Sequence, residues 1–213
     1  MTNNIKNTSD KARANILNRL KSVCENKSGL IPERSRSADV FPQPENLLTT
    51  FIEEFEKVNG QVFRCESENA LRQQFLSLVR KNSWNNILCR DEQIKELLPD
   101  EIHLIDESKF VEIEVGVTFC ECLIARSGSI MVSSGQQSGR LLNVFPPVHI
   151  VVAYERQIVS FLDDAIDLLK KKYGDNLPSQ ATVITGPSRT ADIEKTLVMG
   201  AHGSKELILF LRK

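Results

Sequence analysis

Ala181-Thr-Val-Ile-Thr-Gly-Pro-Ser-Arg-Thr-Ala-Asp-Ile-Glu194 is followed by Leu197-Val-Met-Gly-Ala-His-Gly203 and by Leu207-Ile-Leu-Phe-Leu211. The first four residues and the last five read as buried strands, short, apolar and rich in branched or large side chains. Between them stand two turns, one around Gly186-Pro-Ser-Arg-Thr190 and one around His202-Gly-Ser-Lys205. They gather hydroxyls, bases and glycines that packing alone does not require. A short helix is expected to join them. Ser188 and Thr190 would cap its start, Asp192 and Glu194 would fill its first turn, and Gly200 would end it.

Outward from this stretch the alternation of strand and helix continues. His149-Ile-Val-Val-Ala153 is a strongly apolar strand. After it, the spacing of Ile158, Phe161, Leu162, Ala165, Ile166 and Leu169 predicts a helix over 156–173 with those residues facing inward. Ser129-Ile-Met-Val132 reads as a strand and Val117 to Ile124 as a helix. Further toward the N-terminus, short strands are expected at Gln61–Arg64, Asn86–Cys89 and Ile102–Ile105. Helices are expected from Leu47 to Val58, from Glu66 to Lys81 and from Glu92 to Leu98, the first ended by Asn59-Gly60. Ala12, Ile16, Leu20 and Val23 share one face of a helix from Asp10 to Cys24.

Short strands that are apolar on both faces, separated by helices, imply a mostly parallel sheet covered on both sides. The fold class is therefore α/β, with helices on both faces. Residues 1–46 form an N-terminal helix and an extended connection, and residues 47–213 form the α/β domain.

Composition narrows the function. The chain has 213 residues, 27 basic and 28 acidic, and a formal net charge of −1. That balance argues against a surface built to neutralise nucleic-acid phosphates. No apolar run is long enough to span a bilayer and the N-terminus has no apolar signal core, so the cytoplasm is the expected location. The five cysteines are odd in number and scattered, with no CxxC pair. A disulfide framework, a zinc site and an iron–sulfur cluster are all disfavoured. The residues name no cofactor. GxGxxG, GxxxxGK[ST], GxSxG and HExxH are absent, which demotes dinucleotide, nucleoside-triphosphatase, serine-hydrolase and zinc-peptidase readings.

Candidate site residues follow from the rule that open α/β sheets bind ligands at strand carboxyl ends. Gly186 permits close approach of a ligand, and Ser188 and Thr190 supply hydroxyls. Arg189 supplies charge beside a helix N-terminus, a ready anion site. Asp192 would hold the arginine or cap the helix. His202, beside Gly203, would serve as an acid–base group or hydrogen-bond donor. A second candidate loop contains Thr118, Ser127 and Gly128, with an ordinary glycine-capped turn as its alternative. No metal-ligand set and no catalytic residue can be named.

These residues resemble a known family. Ile184 to Glu194, Leu197 to Gly203 and Leu207 are similar to the signature of the lactate-utilisation protein C family, within the LUD-domain group. Gly116-Val-Thr118, the Gly128-Ser129 turn and Leu141 to His149 resemble it in order and spacing. The resemblance implies a fold similar to the NagB/RpiA/CoA-transferase group, an α/β Rossmann-like sandwich, and a role in oxidation of L-lactate to pyruvate. It also implies partner subunits that resemble iron–sulfur oxidoreductases, with this chain as the component without iron–sulfur centres. Two positions depart from the family pattern. Arg126 stands where the family usually has an acid, and Ser204 where it usually has proline.

The leading expectation is thus a subunit of a lactate-oxidising system that binds a small anionic ligand. The alternatives are a stand-alone enzyme or binding protein for a phosphorylated or CoA-linked small molecule, and a purely structural module.

Overall fold

The structure is a computed structural model that describes residues 11, 13–21, 36–191, 197–199 and 203–213. The chain divides into two units between Arg36 and Ser37. In the first unit, residues 13–21 form helix α1, whose side chains are exposed, Ile16 and Leu20 among them.

The second unit carries the sheets. In chain order its elements are α2 (Ser37–Val40), α3 (Leu47–Lys57), β1 (Gln61–Cys65), α4 (Glu68–Asn82), β2 (Ile87–Cys89) and α5 (Glu92–Leu97). Then come β3 (Val115–Phe119), β4 (Cys122–Ile124), β5 (Ser129–Ser133), β6 (Val148–Tyr154), β7 (Ile158–Val159) and α6 (Leu162–Tyr173). Last are β8 (Ala181–Ile184), β9 (Arg189–Ala191), β10 (Leu197–Met199) and β11 (Glu206–Arg212). The division falls earlier than the 46/47 boundary read from the sequence. The Ser37 N–H donates to Asp163 Oδ2 at 2.6 Å, and Phe41 packs under the Arg126 guanidinium, so this stretch is tied to the second unit.

A central five-stranded sheet runs in the order β1-β11-β6-β3-β2, and every neighbouring pair is parallel. Its strands are apolar on both faces, as expected of a parallel sheet buried on both sides. On one face Phe210, Ile150, Val117 and Ile87 pack against Leu71 and Phe75 of α4 and Ile94 of α5. On the other, Leu209, Val151 and Ala153 meet Phe51 and Phe55 of α3 and Leu123 and Ile130 of a second sheet. That sheet runs β7-β4-β5-β8, with β5 antiparallel to both β4 and β8. Its far face carries Cys122, Ile124 and Met131, closed by Ala165 and Leu169 of α6. The layers are therefore helices, parallel sheet, second sheet with α3, and helix. Among the described residues, no helix is long and apolar enough to cross a membrane.

The second sheet accounts for most departures from the sequence reading. Val117 to Ile124 is not a helix: it is the end of β3, a crossing at Cys120-Glu121, and β4. Buried strands on either side of a crossing lack strict alternation, so the run imitated a helical stripe. Ala181–Ile184 is a strand, but it lies at the edge of the second sheet, with Val183 41 % exposed. The helix expected over 156–173 begins only at Leu162, because Glu155–Gln157 forms a single tight turn and Ile158–Val159 pairs as β7. Leu162 and Ile166 consequently face solvent. Ile102–Ile105 contributes one bridge, Leu104 to Ile87, rather than a strand.

Candidate functional site

The terminal motif does not form a helix where the sequence suggested one. Arg189–Ala191 pairs antiparallel with Leu197–Met199, Thr190 opposite Val198. Ser and Thr hydroxyls serve turns as well as helix caps, and β-branched Thr190 and Val198 fit an extended pair. Among the described residues, no helix N-terminus therefore stands beside Arg189. The hairpin instead returns the chain so that Ser188 N–H donates to Ser204 O at 2.8 Å, joining the two turns of the motif.

Where these turns meet, a pocket of about 170 Å³ opens between the two sheets. Gly186, Ser188, Gly203 and Ser204 line it from the motif, and Asn143 and His149 from the segment leading into β6. His149 lies on the face of β6 that looks toward the second sheet and has no exposed surface. Its Nε2 lies 2.8 Å from Thr118 Oγ1 on the neighbouring strand β3. Thr118 is also buried and the structure gives its hydroxyl no other partner among the described residues. The arrangement that satisfies both groups has Thr118 donating to Nε2, which puts the imidazole proton on Nδ1. Burial lowers the His149 pKa to about 4, so the ring is neutral near pH 7.

His149 Nδ1 has no hydrogen-bond partner, nor do Asn143 Oδ1 and Ser204 Oγ. These are three of the four such buried side-chain atoms among the described residues, and all three residues line this pocket. The Asn143 amide is oriented by its other end, since Nδ2 donates to Gly139 O at 2.7 Å. A carbonyl accepts only, so Oδ1 is the atom left over. The pocket thus presents a donor at His149, an acceptor at Asn143 and a hydroxyl at Ser204. Unpaired buried polar groups are costly and rare in native folds, which marks this as a place where a ligand or water completes the bonding.

The other expected site residues are dispersed. Arg189 is exposed, and its Nη2 donates to Val58 O at 3.2 Å at the end of α3. Asp192 and His202 lie outside the described residues, and of Thr190 only the backbone is described. Ser127 accepts from Ser129 Oγ at 2.8 Å, and Ser129 bonds Thr185 Oγ1 at 2.8 Å, a hydroxyl chain that ties this turn to the motif. Gly128 is a packing glycine: at φ +55°, a Cβ there would sit 2.2 Å from Phe55 N. Gly186 combines both roles, lining the pocket while a Cβ would meet Val58 O at 2.2 Å. Among the described residues, none lining the pocket is Arg or Lys.

The motif, the fold around it and its order along the chain have a counterpart among known proteins. A family model described as the LUD domain matches residues 48–211. The chain belongs to the LUD domain family.

Curated relatives of this LUD domain include Lactate utilization protein C of Bacillus licheniformis, 37 % identical over 94 residues, 43 % of this chain and 39 % of that protein. An uncharacterized protein of Neisseria meningitidis serogroup B is 34 % identical over 100 residues, 47 % of this chain and 42 % of that protein. The chain thus spans about two fifths of the length of these relatives. Among solved structures, a DUF162 family protein from Deinococcus radiodurans superposes with a TM-score of 0.60. It covers 78 % of this chain and 96 % of its own at 15 % identity, a likeness of fold.

His149, Asn143 and Ser204 were not among the residues chosen from sequence. His149 had one legible signal, a lone imidazole in the otherwise apolar run of β6. Ser204 had another, a hydroxyl where the resembling family usually has proline.

Proposed function

We propose that this LUD domain serves lactate utilisation as a component without iron–sulfur centres, and that the motif pocket binds a small 2-hydroxy acid. The observation that carries the reading is the set of three unpartnered buried atoms at Asn143, His149 and Ser204 around one small pocket. A hydroxy acid matches their polarity. Its hydroxyl donates to Asn143 Oδ1, and its carboxylate accepts from His149 Nδ1–H and the Ser204 hydroxyl. Charge on the acceptor strengthens such bonds, so a monoanion can be held by neutral donors. A dianionic phosphate would be poorly compensated there by the described wall, which among the described residues holds no cation. The pocket volume of about 170 Å³ suits a ligand of few heavy atoms.

The similarity to proteins named for lactate utilisation supports the pathway. Iron–sulfur oxidoreductase-like subunits would supply the redox chemistry, since the cysteines of this chain are not arranged for it. Those among the described residues are buried, and burial pushes Cys65 to about 11 and Cys89 and Cys122 to about 12.

Calorimetric titration of the full chain tests the reading. L-Lactate should bind saturably, glycerol should not, and Ser204→Ala should weaken lactate binding. Because Asn143 offers only an acceptor, pyruvate, which lacks the hydroxyl donor, should bind roughly tenfold more weakly than lactate, the scale of one lost hydrogen bond. Absence of saturable lactate binding, together with unchanged growth on lactate after removal of the gene, would sink the proposal.

A further inference from the structure

A second pocket, of about 530 Å³, opens at the opposite end of the same parallel strands. Phe119 at the end of β3, Tyr154 and Arg156 at the end of β6, and Lys172 and Tyr173 in the last turn of α6 form its wall. The strand carboxyl ends are where open α/β sheets hold ligands. The volume also falls in the range of about 300–1,000 Å³ usual for organic ligands, which the motif pocket does not reach.

Behind the wall lies Glu121, whose side chain has no exposed surface. Its carboxylate accepts from Ser133 Oγ at 2.5 Å, Tyr173 OH at 2.7 Å and Lys172 Nζ at 2.7 Å. Burial opposes its ionisation, but these three donors outweigh burial and hold its pKa below the usual carboxylate value. Such a buried ion pair adds little net stability compared with an apolar replacement. What the network does is set the positions of the Lys172 ammonium and the Tyr173 hydroxyl. The Lys172 side chain remains 52 % exposed, and an ammonium has three N–H donors, so two remain beyond the Glu121 bond.

A second cation is set in the same wall. The Arg156 guanidinium stacks 4.2 Å from the Tyr154 ring centroid and has no carboxylate partner among the described residues. The acid in the wall, Asp91, is already engaged, its Oδ1 accepting the Gln93 N–H at 3.0 Å to cap α5. Gln157 braces the rim by donating to Cys120 O at 3.0 Å and accepting from Tyr154 N–H at 2.8 Å, joining the ends of β3 and β6.

We propose that this pocket binds an organic oxyanion, its phosphate or carboxylate group held by Arg156 and Lys172 and its uncharged part lying against Phe119 and Tyr173. The site is independent of the motif pocket. Along β6, His149 of one pocket and Tyr154 of the other are about 17 Å apart at the usual rise per residue.

The test is titration of the full chain with inorganic phosphate and, separately, with citrate, at constant ionic strength. One or both should bind saturably. Arg156→Gln should weaken that binding at least tenfold with little change in the melting temperature of the free protein, because Arg156 is exposed and, among the described residues, engaged by the stack on Tyr154 rather than by a carboxylate. Lys172→Gln should weaken it as well, but it strands Glu121 in the interior, so Arg156→Gln is the deciding variant. Lys170→Gln, the same charge change on the same helix but outside the pocket, should leave binding as it is. Phosphate binding without citrate binding assigns a phosphorylated ligand, and the reverse assigns a carboxylate. No saturable binding of either probe overturns the proposal, as does equal weakening by Lys170→Gln, or weakening by Ser204→Ala in the motif pocket in place of Arg156→Gln. The lactate reading of the motif pocket stands or falls separately, on lactate titration.

Discussion

His149 brings an imidazole into the apolar space between two sheets, where desolvation favours the neutral ring. The unfolded chain has no such constraint and protonates near pH 6.5. Between that value and the folded value of about 4, the unfolded state binds more protons, so stability falls as pH falls across this window. The loss reaches roughly 3 kcal/mol by pH 4 and is absent above pH 7. Melting temperatures measured from pH 7.5 to 4.5 should therefore decline for the native protein and decline less for His149→Asn. Equal slopes for the two would contradict a neutral buried His149. Glu121 acts at lower pH, since its folded pKa is depressed and its contribution is lost only as its carboxylate protonates.

At the scale of elements, the turn between β4 and β5 shows how two layers register against each other. Helix α3 lies so close to this turn that Gly128, at φ +55°, has no room for a side chain. Gly128→Ala combines a disfavoured backbone region with a clash against the α3 backbone at Phe55 N, and nothing there is a movable side-chain tip. The expected outcome is a loss of several kcal/mol in chemical denaturation, larger than the roughly 1 kcal/mol typical of glycine changes in open positions. The same elements explain what the sequence could disclose. Helices α3, α4 and α5 and the parallel strands were legible because each presents one apolar stripe or a short apolar run to one core. The Asn59 residue that ends α3 indeed takes a positive φ of 66°. The second sheet was legible in part: Ser129–Val132 and Ala181–Ile184 were read as strands and form β5 and β8, whereas β4 and β7, with three and two residues, are too short for a period to register. For the site, Gly186, Ser188 and Gly203 were found by composition and do line one pocket. Arg189 was chosen on the same grounds and does not line it, since its guanidinium donates to the carbonyl of Val58 at the end of α3.

In the whole molecule, the parallel strands β3 and β6 carry a pocket at each end. His149 at the amino end of β6 belongs to the smaller one, and Tyr154 at its carboxyl end to the larger one, which Arg156 and Lys172 also line. The strand between them is buried on both faces, so either pocket rests on a rigid floor. All buried residues among those described lie from Phe51 onward, within the second unit, whereas Ile16, Leu17 and Leu20 of α1 are exposed. The second unit therefore holds the complete core described here, with Ser37 at its start tied to Asp163. A chain beginning at Ser37 should fold cooperatively, melt within about 3 °C of the full chain, and retain lactate binding in the motif pocket, because the described core and the described lining of that pocket lie within the second unit. Thermal melting and calorimetry of the two chains side by side check this. A loss of cooperative melting on truncation would mean that α1 contributes apolar burial which its exposed face does not reveal.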